Sequence, residues 1–158
     1  NIFMSDTYDI EQILLIANDA EKTAYKIFNE RISKNTWPIY FKTKFGKYLK
    51  EGIKVIFYIA GQDEKAQSFI ASAKIKTIIE NEIMEFDPNN KFSRVICNIK
   101  FEDINLFKQG VKIQNHLNNL SFIKTKDKRY FGLYLQGGVS RIDKQSFDYI
   151  IKHSIQNF

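Results

Sequence analysis

Between Thr36 and Ile75 the chain reads TWPIYFKTKFGKYLKEGIKVIFYIAGQDEKAQSFIASAKI. Trp37, Tyr40, Phe57 and Tyr58 cluster around a turn at Gly52, and lysines are interleaved with them. Aromatic faces stack on flat rings, and ammonium groups hold phosphates. The pattern suggests a pocket for a flat ring carried on an anionic polymer, and a modified nucleobase fits that description. Signatures of catalysis are poor. His116 and His153 lie far apart in sequence without ligand spacing, and a zinc site needs more Cys or His. His153 falls late in a predicted helix, where a cation suits the helix dipole. His116 sits in a polar, Asn-rich segment and reads as a surface or pocket-rim residue. Cys97 falls on the inward face of a predicted strand. Glu80, Glu82, Glu85 and Asp87 read as a solvated acidic turn. Nucleophile elbow, Walker loop and dinucleotide fingerprint are all missing. Neither a cofactor nor a metal is expected.

The elements that must position these groups belong to one domain. The chain has 158 residues, 44% of them hydrophobic, which excludes general disorder. Its 24 Lys and Arg against 18 Asp and Glu give a net charge of +6. That balance permits nucleic-acid binding, and lysine-rich genome bias produces it equally well. A single cysteine excludes a disulfide framework and fits a reducing, cytoplasmic compartment. No apolar run reaches membrane-spanning length, so no membrane partner is expected. The sequence opens on Asn1 with Met4 inside, as an excised domain would.

Apolar spacing predicts an amphipathic helix over 9–32, with Asp9 and Gln12 in a capping-box pattern and Tyr8 stapled onto Ile13. Trp37 precedes a proline and is pushed towards an extended backbone. Ile53 to Ala60 reads as a buried strand and Gln67 to Ile79 as its hairpin partner. In that partner Phe69, Ala71, Ala73 and Ile75 share one face, and Ser72, Lys74 and Lys76 share the other. Asp87-Pro88-Asn89-Asn90 is a turn signal, and Phe92 to Phe101 a third strand. A short helical turn follows over Gln114 to Asn119. Two further strands are predicted at Leu120 to Lys124 and Tyr130 to Leu135. The Gly137-Gly138 pair breaks the pattern. Asp143 then caps a final helix at about 144–156, with Ile142 stapled onto Phe147. The order predicts a single α+β domain over 1–158, with a small curved sheet or barrel flanked by helices.

Trp37-Pro38-Ile39-Tyr40, Lys42-Thr43, Leu49-Lys50-Glu51-Gly52, Val55 to Gly61 and Phe69-Ile70-Ala71 resemble the EVE domain of the PUA-like superfamily. Leu120 to Ile123 and Tyr130 to Val139 are similar to its closing strands. The resemblance spans residues 28–152. It departs in two places. Ile53 stands where the family has an Asp after the turn glycine, and a helix is predicted before Trp37 where the family has a first strand. The resemblance implies a PUA-like barrel. Its relatives in the YTH and SRA groups read modified bases, and EVE-like domains are associated with modified-DNA recognition, often fused to restriction nucleases.

The first reading is therefore a non-catalytic module that binds a modified, flipped base, as the DNA-recognition part of a modification-dependent restriction system. Trp37, Tyr40 and Phe122 are its candidate cage walls. Tyr58, Ser72 and Gln136 are its candidate edge readers. Lys42, Lys44, Lys47, Lys74, Lys76 and Arg141 are its candidate phosphate contacts. The expected partners are nucleic acid, DNA ahead of RNA, and a fused or associated nuclease. Two other readings stay open. One is a small amidohydrolase acting on modified nucleosides, like the ASCH group, with Lys42-Thr43 in its pocket. The other is a protein-interaction domain whose aromatic cluster is simply core.

Overall fold

The computed structural model describes residues 9–18, 23–41, 43, 45–86 and 94–155, without the side chains of 82–86 and 94. Lys42, Lys44, the Tyr8 staple and the Asp87 to Asn90 turn lie outside the described residues. The strands are β1 (Gln12–Ala17), β2 (Trp37–Tyr40), β3 (Lys54–Ile59), β4 (Ser68–Phe86), β5 (Arg94–Lys112) and β6 (Val139–Arg141). The helices are α1 (Ala24–Ser33) and α2 (Lys144–Ile155). The strands form one curled sheet in the order β2-β5-β4-β3-β1-β6. β1 and β3 are parallel, and the other neighbours are antiparallel.

Both faces of the sheet are covered. Ile13, Leu15 and Ala17 of β1 join a cluster with Ala24 and Phe28 of α1, while Leu14 and Ile16 join a second with Phe147 and Ile150 of α2. This two-sided burial explains the main correction. The predicted helix over 9–32 is a strand, β1, and a shorter helix, α1. Five consecutive buried residues, Ile13 to Ala17, match helical spacing only because every position of a doubly covered strand is apolar. α1 starts where Thr23 Oγ1 accepts from Lys26 N at 3.3 Å. Beyond its end, Asn35 brackets β5: Phe101 N donates to its Oδ1 at 2.8 Å, and its Nδ2 donates to Phe101 O at 3.1 Å. The first strand that the resemblance implies before Trp37 is therefore present.

The β3–β4 hairpin pairs as predicted, with Lys54 opposite Lys74 and Val55 opposite Ala73. The face assignment needs correcting at one residue. A register shift between Phe69 and Ala71 puts Phe69 on the α2 side, while Ile70, Ala71, Ala73 and Ile75 pack on the α1 side. Gly52 adopts φ +89°, and its N–H donates to Ile75 O at 2.8 Å. Ile53 follows it into the α1-side core, 1% exposed, so a packed side chain occupies the position of the family's Asp.

The strand predicted from Phe92 to Phe101 continues to Lys112. The two strands predicted at Leu120 to Lys124 and Tyr130 to Leu135 do not form; the second is a 3-10 segment, Phe131–Tyr134. Their backbone groups find other partners. Lys126 Nζ donates to the carbonyls of Leu117, Leu120 and Ile123 at 2.7, 3.2 and 2.9 Å. β6, unread in the sequence, pairs with β1 through Ile13 to Leu15. α2 begins as predicted: Ser146 N donates to Asp143 Oδ1 at 3.0 Å, and Ile142 and Phe147 share a core cluster. Burial raises the Asp143 pKa, but hydrogen bonds from Ser121 and Ser146 outweigh it and hold the carboxyl below its ordinary range. Among the described residues no helix is long and apolar enough to cross a membrane.

Candidate functional site

The parallel strands β1 and β3 end side by side, with Ala60 N donating to Ala17 O at 3.0 Å. Beyond their ends lies a cavity of about 310 Å³, within the range of small-ligand pockets. Asn18, Tyr58, Ala60, Gly61, Gln67 and Gln114 line it. Phe131, Gly132, Leu135 and Gln136, in and just after the 3-10 segment, complete the wall. Lys128 and Arg129 line it too, Arg129 paired with Asp127 at 2.9 Å, and among the described residues no Asp or Glu lines it. Gly137 and Gly138, with φ of +86° and +83°, turn the chain from this wall onto β1, where Ile16 N donates to Gly138 O at 2.8 Å.

The polar groups here are held in order. Gln114 Nε2 donates to Gln67 Oε1 at 2.5 Å, and Gln67 Nε2 donates onward to Gly61 O at 3.3 Å. That chain leaves the Gln114 carbonyl oxygen available as an acceptor. The Tyr58 ring leans on Phe69 at 5.1 Å and 55°. Burial raises the Tyr58 pKa, so its hydroxyl keeps its proton and can donate. Neither Tyr58 nor Gln136 uses its side chain in a hydrogen bond among the described residues. The cavity thus combines an aromatic surface, a hydroxyl and amide groups. Such groups can stack on a planar ring and match donors and acceptors along its edge.

Of the predicted edge readers, Tyr58 and Gln136 come together here, while Ser72 lies half-buried in β4 opposite Ile56 and Asn105. The predicted cage walls do not meet. Trp37 is 2% exposed, packs in the α1-side cluster and does not line the cavity; Tyr58 is equally buried, in the α2-side cluster, but does line it. Phe122 packs half-buried on the α2 side. Tyr40 is half-buried at the end of β2, opposite Val95. Neither Tyr40 nor Phe122 lines the cavity. Lys47 is exposed beside the Tyr48 ring, Lys74 is half-buried and Lys76 is exposed on β4. The Arg141 guanidinium lies 5.7 Å from the Phe45 ring centroid. Asn18, Gln67, Gln114 and Phe131 also line the cavity and were not among the predicted residues. Asn18, Gln67 and Gln114 share one sequence signal, an amide beside a strand terminus; Phe131 has none.

A second groove of about 640 Å³ lies between α1 and the β4–β5 pair. It is larger and is lined by Tyr25, Phe28, Phe107 and His116, with Lys65 Nζ 5.3 Å from the Tyr25 ring centroid.

The two histidines, distant in sequence, meet in space. Their ring centroids are 5.1 Å apart, and both pack against Tyr149. His116 Nδ1 lies 2.7 Å from the Tyr149 hydroxyl, and His153 Nδ1 lies 3.0 Å from the Tyr149 carbonyl. Among the described residues no group of three or more potential ligands is placed for a metal. Burial, and then the charge of His153, lowers the His116 pKa. A depressed folded pKa means stability that is full above the unfolded value of about 6.5 and is lost as pH falls through the folded value. Melting temperature should therefore fall between about pH 8 and pH 5. His153→Gln, which removes the facing charge, should make that fall shallower; superimposable profiles would dissociate the pair from stability.

No family model and no curated protein matches the sequence. Solved structures share its fold. The human THYN1 protein in complex with 5-methylcytosine-containing DNA superposes with a TM-score of 0.54 and 12% identity, over 93% of this chain and 99% of that chain. The N-terminal domain of Staphylothermus marinus McrB gives a TM-score of 0.49 and 10% identity, over 90% of this chain and 94% of that chain. The likeness to THYN1 shows a common PUA-like α+β fold.

Proposed function

We propose that this chain is a nucleic-acid-binding module that takes a modified base, turned out of its stack, into the cavity at Tyr58. One observation carries the reading: a ring-sized cavity joins Tyr58 and Phe131 to the amides of Gln114 and Gln136, with Lys128 and Arg129 in its lining. Tyr58 and Gln136 read the base edge, Phe131 supplies an aromatic surface, and Lys128 and Arg129 hold the flanking phosphates. DNA is the preferred polymer, in keeping with the DNA-bound neighbour of the same fold. The chain performs no chemistry itself; a fused or associated nuclease cuts once the base is held. The amidohydrolase alternative gains no support from the described lining, which holds no carboxylate.

The test is an anisotropy titration with DNA and RNA strands carrying 5-methylcytosine, other modified bases or none. One modified strand should bind more tightly than its plain counterpart. Tyr58→Phe should reduce that preference about 2- to 12-fold, the value of one hydrogen bond, without changing the melting temperature. Affinity for every strand should fall with salt, with a slope of about −0.9 in log K per duplex phosphate neutralised. If Tyr58→Phe leaves all affinities unchanged, or nothing binds at low salt, the reading fails.

A further inference from the structure

The groove of about 640 Å³ between α1 and the β4–β5 pair has no part in the base reading. It lies where the ladder between those two strands breaks. Ala71 pairs with Leu106 and Phe69 with Val111, so Ile70 alone stands against Phe107 to Gly110. The excess residues of such a bulge leave the ladder, and their backbone N–H and C=O groups need other partners. On the other side of β5 the pairing with β2 ends at Ile99, so among the described residues no strand flanks Leu106 to Lys112 there. Leu106, in the lining beside Ile70, is 61% exposed. Charge in the groove is one-sided. Lys65, Lys108 and Lys112 line it against Asp63 alone, and none of the three lysines is in an ion pair among the described residues.

We propose that this groove docks an extended segment of a partner protein that carries both acidic and apolar side chains. The added chain pairs with the backbone of β5 between Leu106 and Lys112, over roughly 20 Å or about six residues. Its apolar side chains cover Leu106 and Ile70, and its carboxylates pair with Lys65, Lys108 and Lys112. A nucleic-acid strand would satisfy the lysines but not the bulge. Phosphates accept hydrogen bonds only and leave the carbonyls of Phe107 to Gly110 unmatched, whereas a peptide backbone brings donors and acceptors together. The proposal stands independently of the cavity reading.

The experiment is an NMR titration of the isotope-labelled chain with short peptides in which glutamate alternates with valine, leucine, phenylalanine or tyrosine. Each is paired with a lysine-for-glutamate counterpart and with an N-methylated copy whose backbone cannot donate. At least one glutamate peptide should bind and shift the amide signals of Leu106 to Lys112, and its two counterparts should not. Lys108→Gln and Lys112→Gln should each weaken it about 2- to 5-fold, the value of one exposed ion pair, with unchanged melting curves. Gly110→Leu should abolish binding. Gly110 lies outside the left-handed region, and a Cβ there meets Ser68 Cβ at 3.6 Å and Ile70 Cγ2 at 3.7 Å, ordinary contacts, so the added side chain occupies the groove without strain. Tyr58→Phe should leave peptide binding unchanged, which separates this surface from the cavity. The proposal is overturned if no glutamate peptide binds, or if a lysine or N-methylated counterpart binds as well. Shifts of the same signals by single-stranded or duplex DNA would make the groove a nucleic-acid track and overturn it too.

Discussion

Trp37→Ala is expected to cost about 3–5 kcal/mol of stability, the penalty for deleting a large aromatic group from a packed core. For a domain of this size that corresponds to a melting temperature lower by roughly 6–20 °C. The indole is 2% exposed and lies within a group of mutually packed rings. Phe57 is 5.1 Å away at 46°, Phe28 6.4 Å at 66° and Phe101 6.3 Å at 78°. The Arg31 guanidinium lies 4.8 Å from the ring centroid. These contacts tie α1, β2, β3 and β5 together on the side of the sheet facing α1, so truncation leaves a cavity that four elements cannot all close. At a temperature where the variant remains folded, its preference for a modified strand should persist. Thermal melting beside a titration checks both parts. A stable variant that loses the preference would return Trp37 to the binding site.

The same residue shows how far the sequence could be read. Trp37 before Pro38 signals an extended segment, and the strand is there. Composition cannot tell a stacking aromatic from a buried one, because both sit beside other aromatics in a β-fold. Only the sheet order decides, by placing β2 against β5 with α1 overhead. Tyr58 lines the cavity because it is the penultimate residue of β3, next to Ala60-Gly61, where the strand ends. The β3–β4 hairpin was legible because its pairing is local. β1 was not, because its partners β3 and β6 are distant in sequence and a doubly buried strand has no alternation to reveal it. The cavity wall at Phe131 to Gln136 was misread as a strand. Its apolar residues have the right composition, but its backbone closes on itself, with Leu133 N donating to Tyr130 O and Leu135 N to Gly132 O. The histidine pair had no signal in the spacing; α2 brings His153 back to His116.

Gly132→Phe should abolish base recognition while leaving the fold intact. Gly132 lies in the 3-10 segment and outside the left-handed region, so a side chain introduces no backbone strain there. A Cβ added to it meets no atom within 4 Å. Leu135 N donates to Gly132 O at 3.1 Å, and both residues line the cavity, so the new ring points where a base would lie. Filling that space removes stacking worth about 1–3 kcal/mol, or roughly 5- to 150-fold, and affinity for the modified strand should drop by that factor. Stability should stay within about 0.5 kcal/mol, because no buried contact is displaced and a glycine's unfolded-state entropy is reduced. The salt-dependent affinity for plain strands should survive, since Lys128 and Arg129 are untouched. The substitution should affect single-stranded and duplex probes alike, because both must place the base in the same cavity. Full preference for the modified strand in a folded Gly132→Phe chain would mean that the base binds elsewhere, and the groove between α1 and the β4–β5 pair would be the place to look.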